Sequence, residues 1–283
     1  MAHLSPFSRT VPEIGSPKWE EHIKPCPYTP HVAVITGAAQ GIGKAIALRL
    51  ADDGFDIAIA DLSSQQEKLD EVVNEIMKKG RKAIAVPTDV IKESDVIFLI
   101  QRTVGELGGV DVMIANAGIL RLGTFLEMTE ETYDLVMNVN AKGVMFCYKH
   151  AAVQMIRQKR GGRIIGASST VGKQAAPNMP AYSASKFAVR GLTQVFALEM
   201  MPHNITVNAY CPGFTLTDMV AHESDAFYGD GSPGSYLQHT SGIPKVAKAE
   251  PHVIASFVSY LCKPEAYFIT GQSNSVCGGL TMS

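Results

Sequence analysis

From His31 onward the chain alternates short, continuous apolar runs with stretches in which apolar residues return every three or four positions. A run of four to eight apolar, β-branched residues is the pattern of a strand buried on both faces. The three-to-four spacing is that of an amphipathic helix. HVAVITG at 31–37 therefore predicts a first strand, and IGKAIALRLADDG at 42–54 a helix with Ile42, Ile46 and Leu50 on one side. DIAIAD at 56–61 predicts a second strand. Ser64 and Glu67 stand at capping-box spacing and open a helix whose Leu69, Val72, Val73, Ile76 and Met77 form an apolar face, ended by Gly80. KAIAVPTDV at 82–90 and VDVMIANAG at 110–118 predict the third and fourth strands, around a helix over 93–107. Residues 129–159 read as largely helical, and helices are expected over about 182–201 and 251–262. GRIIGASS at 162–169, ITVNAYCPG at 205–213 and SNSVCGG at 273–279 supply three further strands. This alternation predicts one parallel sheet with helices on both faces, without a second domain or an internal repeat.

Two stretches break the rhythm. Residues 1–30 hold six of the fifteen prolines, Pro6, Pro12, Pro17, Pro25, Pro27 and Pro30, which resist helix and sheet alike. They predict an extended arm, with Trp19, the sole tryptophan, as its candidate anchor. Residues 218–250 are rich in Gly, Ser, Pro and aromatic residues and too long for an ordinary connection, so they predict a lid over a site.

Composition narrows the function classes. Hydrophobic residues make up 46% of the chain and charged ones 18%, enough for a sizeable core and contrary to wholesale disorder. Twenty-five basic side chains against 27 acidic ones give a net charge of −2, which argues against a nucleic-acid surface or a polybasic membrane anchor. No apolar run approaches the ~18 residues that a membrane-spanning helix needs. The five cysteines, Cys26, Cys147, Cys211, Cys262 and Cys277, are odd in number and form no CxxC pair. Neither a disulfide framework nor a zinc cluster is expected, and a reducing, cytoplasmic setting fits. The eight histidines lack HExxH spacing, so no metal site is expected. Residues 1–30 lack the apolar segment of a secretion signal, and Glu13, Glu20 and Glu21 make them a poor organelle-targeting helix.

The first strand runs into Thr36-Gly37-Ala38-Ala39-Gln40-Gly41-Ile42-Gly43. Glycines there let the backbone turn sharply and approach a pyrophosphate. The helix that follows then offers its free N–H groups to the anion. The spacing is GxxxGxG, and its place in the first strand–helix–strand unit gives it weight. Asp61 ends the second strand, 18 residues after Gly43. A carboxylate there can accept the ribose hydroxyls of NAD and repel the added phosphate of NADP. No Arg or Lys in the glycine turn or just after Asp61 and Leu62 would bind that phosphate.

Tyr182 and Lys186 are four apart and share a helix face. A neighbouring ammonium favours phenolate, which lowers the phenol pKa and suits Tyr182 to general acid or base work. Ser169, thirteen residues upstream at the carboxyl end of a predicted strand, can hold a substrate oxygen beside it.

Together these features resemble the short-chain dehydrogenases/reductases, over about residues 31–283. The motifs that carry the likeness are TGAAQGIG at 36–43, Asp89-Val90, Asn116-Ala117-Gly118, Asn140, Ser169 with Tyr182 and Lys186, Pro212-Gly213 with Thr215 and Thr217, and ITGQ at 269–272. The resemblance implies a single-domain, Rossmann-like, doubly wound parallel sheet of about seven strands, in an α/β fold. It also implies an NAD-dependent oxidoreductase that interconverts a small secondary alcohol and its ketone. By the same resemblance Gly37, Gln40, Gly41, Ile42 and Gly43 cradle the pyrophosphate, Asp89 and Val90 flank the adenine, and Asn116 supports the central strand. Asn140 holds a water in a proton relay through Lys186, and Lys186 also holds the nicotinamide ribose. Thr217 contacts the carboxamide. The family's spacing selects Ser169 over Ser168. Ala115 stands where many members have Asn, and Cys277 where an Asp is usual. YSASKFAVRGLTQ and ITVNAYCPG most resemble the acetoin reductase and 2,3-butanediol dehydrogenase branch. A homotetramer is implied, with the helix after Tyr182 packed across a two-fold axis and the C-terminal strand near another interface.

The lid, with Phe227 and Tyr228 and aided by Gln174, Asn178, Met179 and Phe214, is expected to shape the substrate pocket. A methyltransferase would also carry the glycine turn and the acid, but it has no use for the Ser, Tyr and Lys set. A non-catalytic dinucleotide sensor, or an interaction protein on the same fold, is the alternative.

Overall fold

The structure, a computed structural model, describes residues 29–243 and 248–282. The proline-rich arm, but for its last two residues, and Trp19 lie outside the described residues. Seven strands form one sheet: β1 (Val32–Thr36), β2 (Asp56–Asp61), β3 (Ala83–Pro87), β4 (Val112–Ala115), β5 (Gly162–Ala167), β6 (Ile205–Pro212) and β7 (Ser273–Val276). Their order is β3-β2-β1-β4-β5-β6-β7, and every pairing is parallel.

The apolar runs alternate across the sheet as the pleat requires. Ala33 and Ile35 of β1, Ile57 and Ile59 of β2, and Val112 and Ile114 of β4 point into one core. There they meet α1 (Gly41–Asp52), α2 (Gln66–Lys78) and α8 (Pro251–Cys262). Val34, Ala58, Ala60 and Met113 point into the other, against α3 (Glu93–Leu107), α5 (Gly143–Gln158) and α6 (Pro180–Met200). Burial on both faces explains why these strands read as unbroken apolar runs.

Several boundaries differ from the sequence pattern. The predicted capping box does not form: Ser63–Gln65 make a 3-10 turn, closed by Gln65 N–H on the Leu62 carbonyl, and α2 starts at Gln66 with no side-chain cap. The stretch 129–159 divides into α4 (Glu130–Met137), a π-helical turn over Asn138–Lys142 and α5. The fourth strand stops at Ala115, so that Asn116, Ala117 and Gly118 leave the sheet at its carboxyl edge.

The opposite edge is closed by one buried carboxylate. Asp111, 1% exposed, accepts the backbone N–H groups of His31 at 2.8 Å and Val32 at 3.0 Å through Oδ2. Its Oδ1 accepts Nε and Nη2 of Arg160 at 3.0 and 2.6 Å. It thus fixes the register of β1 against β4. Asp111→Ala leaves one buried donor, the Val32 N–H, unpaired at about 1–3 kcal/mol and frees the half-buried His31 N–H, so a loss of about 1–3 kcal/mol is expected in urea unfolding. The Arg160 pair adds little to that figure, because its side chain is 37% exposed.

Candidate active site

The carboxyl edge of the sheet opens into a cleft of about 500 Å³. At its floor β1 turns into α1 with Gly37 at φ +64° and Gly41 at φ +58°, a backbone region that favours glycine. A side chain at Gly43 would collide with the Gly37 carbonyl, and one at Gly41 would stand 3.3 Å from Thr217 Cγ2. The N-terminus of α1 has no side-chain cap, and its first turn carries no acidic residue. Bare backbone, free N–H groups and a positive dipole end together fit an anionic diphosphate.

The residues expected around such a dinucleotide converge here. Gly37, Gln40, Gly41, Ile42, Gly43, Asp61 and Leu62 line one half of the cleft, and Asp89, Val90, Asn116, Ala117 and Gly118 line its back. Pro212, Gly213, Thr215 and Thr217 close it from the end of β6. Asp61 accepts Ala39 N–H at 3.1 Å and Leu62 N–H at 2.9 Å, which sets its carboxylate at the mouth of the turn. The structure also brings Lys68 of α2 to Gln40, Nζ to Oε1 at 2.5 Å, a cation that no reading along the chain placed near the turn.

Ser169, Tyr182 and Lys186 line the other half. Tyr182 and Lys186 face inward because α6 packs its apolar side on the sheet; Lys186 Nζ lies 5.4 Å from the Tyr182 ring centroid and donates to the Ala167 carbonyl at 2.9 Å. Ser168 Oγ donates instead to the Lys186 carbonyl at 2.9 Å, so of the adjacent serines it is Ser169 whose hydroxyl bonds Tyr182. Asn140, fully buried on the π-helical turn, accepts Ile119 N–H at 2.8 Å. Its amide donates to the Ile119 carbonyl at 2.9 Å and to Ser185 Oγ at 3.1 Å. Both amide hydrogens are used, so any water held by Asn140 is held through oxygen.

The expected lowering of the Tyr182 pKa does not occur in the protein alone. Burial pushes the phenol up to about 12, and the hydrogen bond from Ser169 offsets only part of this. Burial pulls Lys186 down to about 8. Desolvation disfavours both charged forms and is the largest cause of each shift.

The substrate residues fare unevenly. Met179 and Phe214 are buried in a small cluster that packs on Tyr182. Gln174 is exposed and outside the cleft lining. Asn178, at φ +61°, donates to the Thr240 carbonyl at 2.6 Å and so ties down the lid rather than lining the cleft. The described part of the expected lid, residues 218–243 and 248–250, holds a 3-10 turn over Glu223–Phe227 and a short helix α7 (Ser235–Thr240). Its centre is Asp225, which accepts the N–H groups of His222, Gly234 and Tyr236 at 2.8, 3.1 and 2.9 Å. Burial raises the pKa of this carboxylate, but the three donors more than offset that and leave it below the ordinary value. Phe227 and Tyr228 do not cover the cleft: Phe227 is 84% exposed, and Tyr228 packs against Tyr236 and His239 within the lid. Met219 and Val220 line it instead. Sequence reasoning also missed Tyr210, whose hydroxyl donates to Asn116 Oδ1 at 2.7 Å, and Ile119 and Arg121 of the β4–α4 loop. Only strand alternation and proximity to Gly118 could have pointed to them.

Residues 31–226 match the family model of the short chain dehydrogenases. The chain belongs to this family. A short-chain dehydrogenase/reductase of Armillaria gallica is 46% identical over 253 residues, 88% of this chain and 95% of that one. An L-2,3-butanediol dehydrogenase of Corynebacterium glutamicum is 38% identical over 252 residues, 88% of this chain and 98% of that one. Among solved structures, a short-chain type dehydrogenase/reductase from Mycobacterium marinum superposes with a TM-score of 0.80 at 32% identity, covering 90% of this chain and 97% of the other. The likeness to the butanediol dehydrogenase agrees with the branch that the YSASK and AYCPG segments indicate. As a short-chain dehydrogenase/reductase, the protein is an oxidoreductase on a Rossmann-like sheet.

The depressed pKa of Lys186 carries a stability signature. Lys186 releases its proton at about 8 in the fold and at the ordinary 10.5 in the unfolded chain. The unfolded state therefore binds more protons between these values, and stability rises with pH across that window. Urea midpoints of the wild type are expected to gain on those of Lys186→Met between about pH 8 and 10.5. A constant difference between the two proteins contradicts this assignment.

Proposed function

We propose that the protein is an NAD(H)-dependent alcohol dehydrogenase and carbonyl reductase for small secondary alcohols and ketones, with Tyr182 as acid and base. The observation that carries the reading is the meeting of Ser169, Tyr182 and Lys186 with the uncapped α1 terminus in one cleft. The bound dinucleotide supplies the hydride donor or acceptor. Ser169 holds the carbonyl oxygen, and Tyr182, protonated near neutral pH because it is buried, gives that oxygen its proton during reduction. In oxidation Tyr182 takes the hydroxyl proton, and the charge on Lys186 stabilises the phenolate that forms. Asn140 sets the height of Ile119 and, through Ser185, the first turns of α6.

Asp61 at the mouth of the glycine turn supports a preference for NAD(H). The exposed Phe187, Val195 and Leu198 along one face of α6 support a homotetramer packed through that helix. Four unpaired cysteines among the described residues agree with a reducing, cytoplasmic setting. The likeness to the butanediol dehydrogenase favours hydroxyketones and vicinal diols as first substrates to try.

Tyr182→Phe is expected to bind NADH as the wild type does, by fluorescence titration, while turnover falls by roughly 10²–10⁴-fold. Near-normal turnover would leave only a dinucleotide-binding fold. The unaltered protein is expected to favour NADH over NADPH in kcat/KM, and Asp61→Ala to erode the preference by removing both the ribose contacts and the repulsion. Equal use of both cofactors by the unaltered protein would exclude that role for Asp61.

A further inference from the structure

The cleft has an apolar wall beside the reacting centre and a single exposed cation. Val171, Met179, Phe214 and Leu237 form a buried cluster separate from the two cores of the sheet, and Leu120, Tyr182 and Val220 pack against it. Of this group only Tyr182 and Val220 line the cleft, so these two present its edge to a substrate. The residue after Leu120 is Arg121, on the loop between β4 and α4. Of the residues lining the cleft, Arg121 and Lys186 alone are Lys or Arg. Lys186 is buried and bonded to the Ala167 carbonyl, whereas Arg121 is exposed.

The Arg121 guanidinium donates Nη1–H to the Leu120 carbonyl at 2.9 Å and pairs with no carboxylate among the described residues. A guanidinium carries five N–H donors in a planar fork that matches a carboxylate or phosphate, so most of that capacity is left unused. The carboxylates that line the cleft are Asp61 and Asp89, at the ends of β2 and β3, and Asp218, at the near edge of the lid. The pyrophosphate-type cradle lies at the glycine turn, where an anion already has the α1 terminus to meet it. An unpaired guanidinium next to the Tyr182 wall therefore points to an anion on the other reactant.

We propose that Arg121 binds substrate, and that the preferred ketones carry an anionic group, a carboxylate or a phosphate, close to the carbonyl that Tyr182 meets. This rests on the oxidoreductase reading above.

The test uses matched pairs with NADH: acetoacetate against methyl acetoacetate, and dihydroxyacetone phosphate against dihydroxyacetone. In the wild type, kcat/KM for the anionic member of at least one pair is expected to exceed that of its neutral partner by tenfold or more. The pair that shows this identifies the anion. In Arg121→Gln that ratio is expected to fall at least tenfold, in Arg121→Glu to fall below one, and in Arg121→Lys to recover in part. An unmoved ratio in Arg121→Gln, or preference for the neutral member in both pairs, overturns the proposal. An equal fall for both members, reproduced by Asp218→Asn, makes Arg121 a clasp for the lid and also overturns it. Weaker NADH binding by fluorescence titration with an unmoved ratio assigns Arg121 to the cofactor, again against the proposal. Reduction of other ketones but of neither anionic probe defeats this inference alone. Failure to oxidise NADH with any ketone defeats the oxidoreductase reading itself.

Discussion

The carboxamide of Asn116 holds the point where the sheet reverses its winding. From β1 the chain adds β2 and β3 on one side and then returns to place β4 on the other, which opens a crevice at the carboxyl ends of β1 and β4. Asn116 Nδ2 bridges that crevice, donating to the carbonyls of Thr36 at 2.9 Å and Gly37 at 3.0 Å. Its Oδ1 takes the hydroxyl of Tyr210 from β6. One half-buried amide thus ties three strands to the turn that starts α1. Any side chain at Gly43 would strike both the Gly37 carbonyl and this amide, so the tight turn and the strand spacing depend on each other.

Around this frame, burial does the electrostatic work. The same closure of α6 on the sheet that aligns Tyr182 with Lys186 also removes them from water. The phenol becomes harder to ionise and the ammonium easier to discharge. Near neutral pH the pair is thus a protonated phenol beside an ammonium whose pKa burial has lowered. A π-helical turn keeps Asn140 inward at the junction of α4 and α5, where a regular helix would carry it elsewhere. Its three hydrogen bonds connect the β4 exit to the first turns of α6.

The lid follows a different principle. It has little core of its own and is organised by the Asp225 carboxylate acting on three backbone donors. Lys248 fastens its far end to Ser232 and Ser235. Its aromatic residues stabilise it internally, and smaller apolar residues at its near edge meet the cleft. The cleft is therefore lined by Met219, Val220 and, from the β4–α4 loop, Ile119 and Arg121, and not by the conspicuous aromatics.

The order of strands and helices, the glycine turn, the acid at the end of β2 and the Ser, Tyr and Lys set were all legible along the chain. Each rests on local physics: the periods of strand and helix, the backbone freedom of glycine, and two side chains one helical turn apart. The false capping box at Ser64 and Glu67 shows the limit of such local rules, since the chain enters α2 through a 3-10 turn that pairs the N–H groups of Gln65 and Gln66 with backbone carbonyls. The family's spacing had already selected Ser169; the tertiary structure supplied the physical reason, since Ser168 turns its hydroxyl to the Lys186 carbonyl. Only the packed structure brought Tyr210 to Asn116 and Lys68 to Gln40, pairings between residues far apart in sequence. The direction of the pKa shifts also belonged to the fold, since neighbouring charge can be read from spacing but desolvation exists only once the chain has closed around the pair.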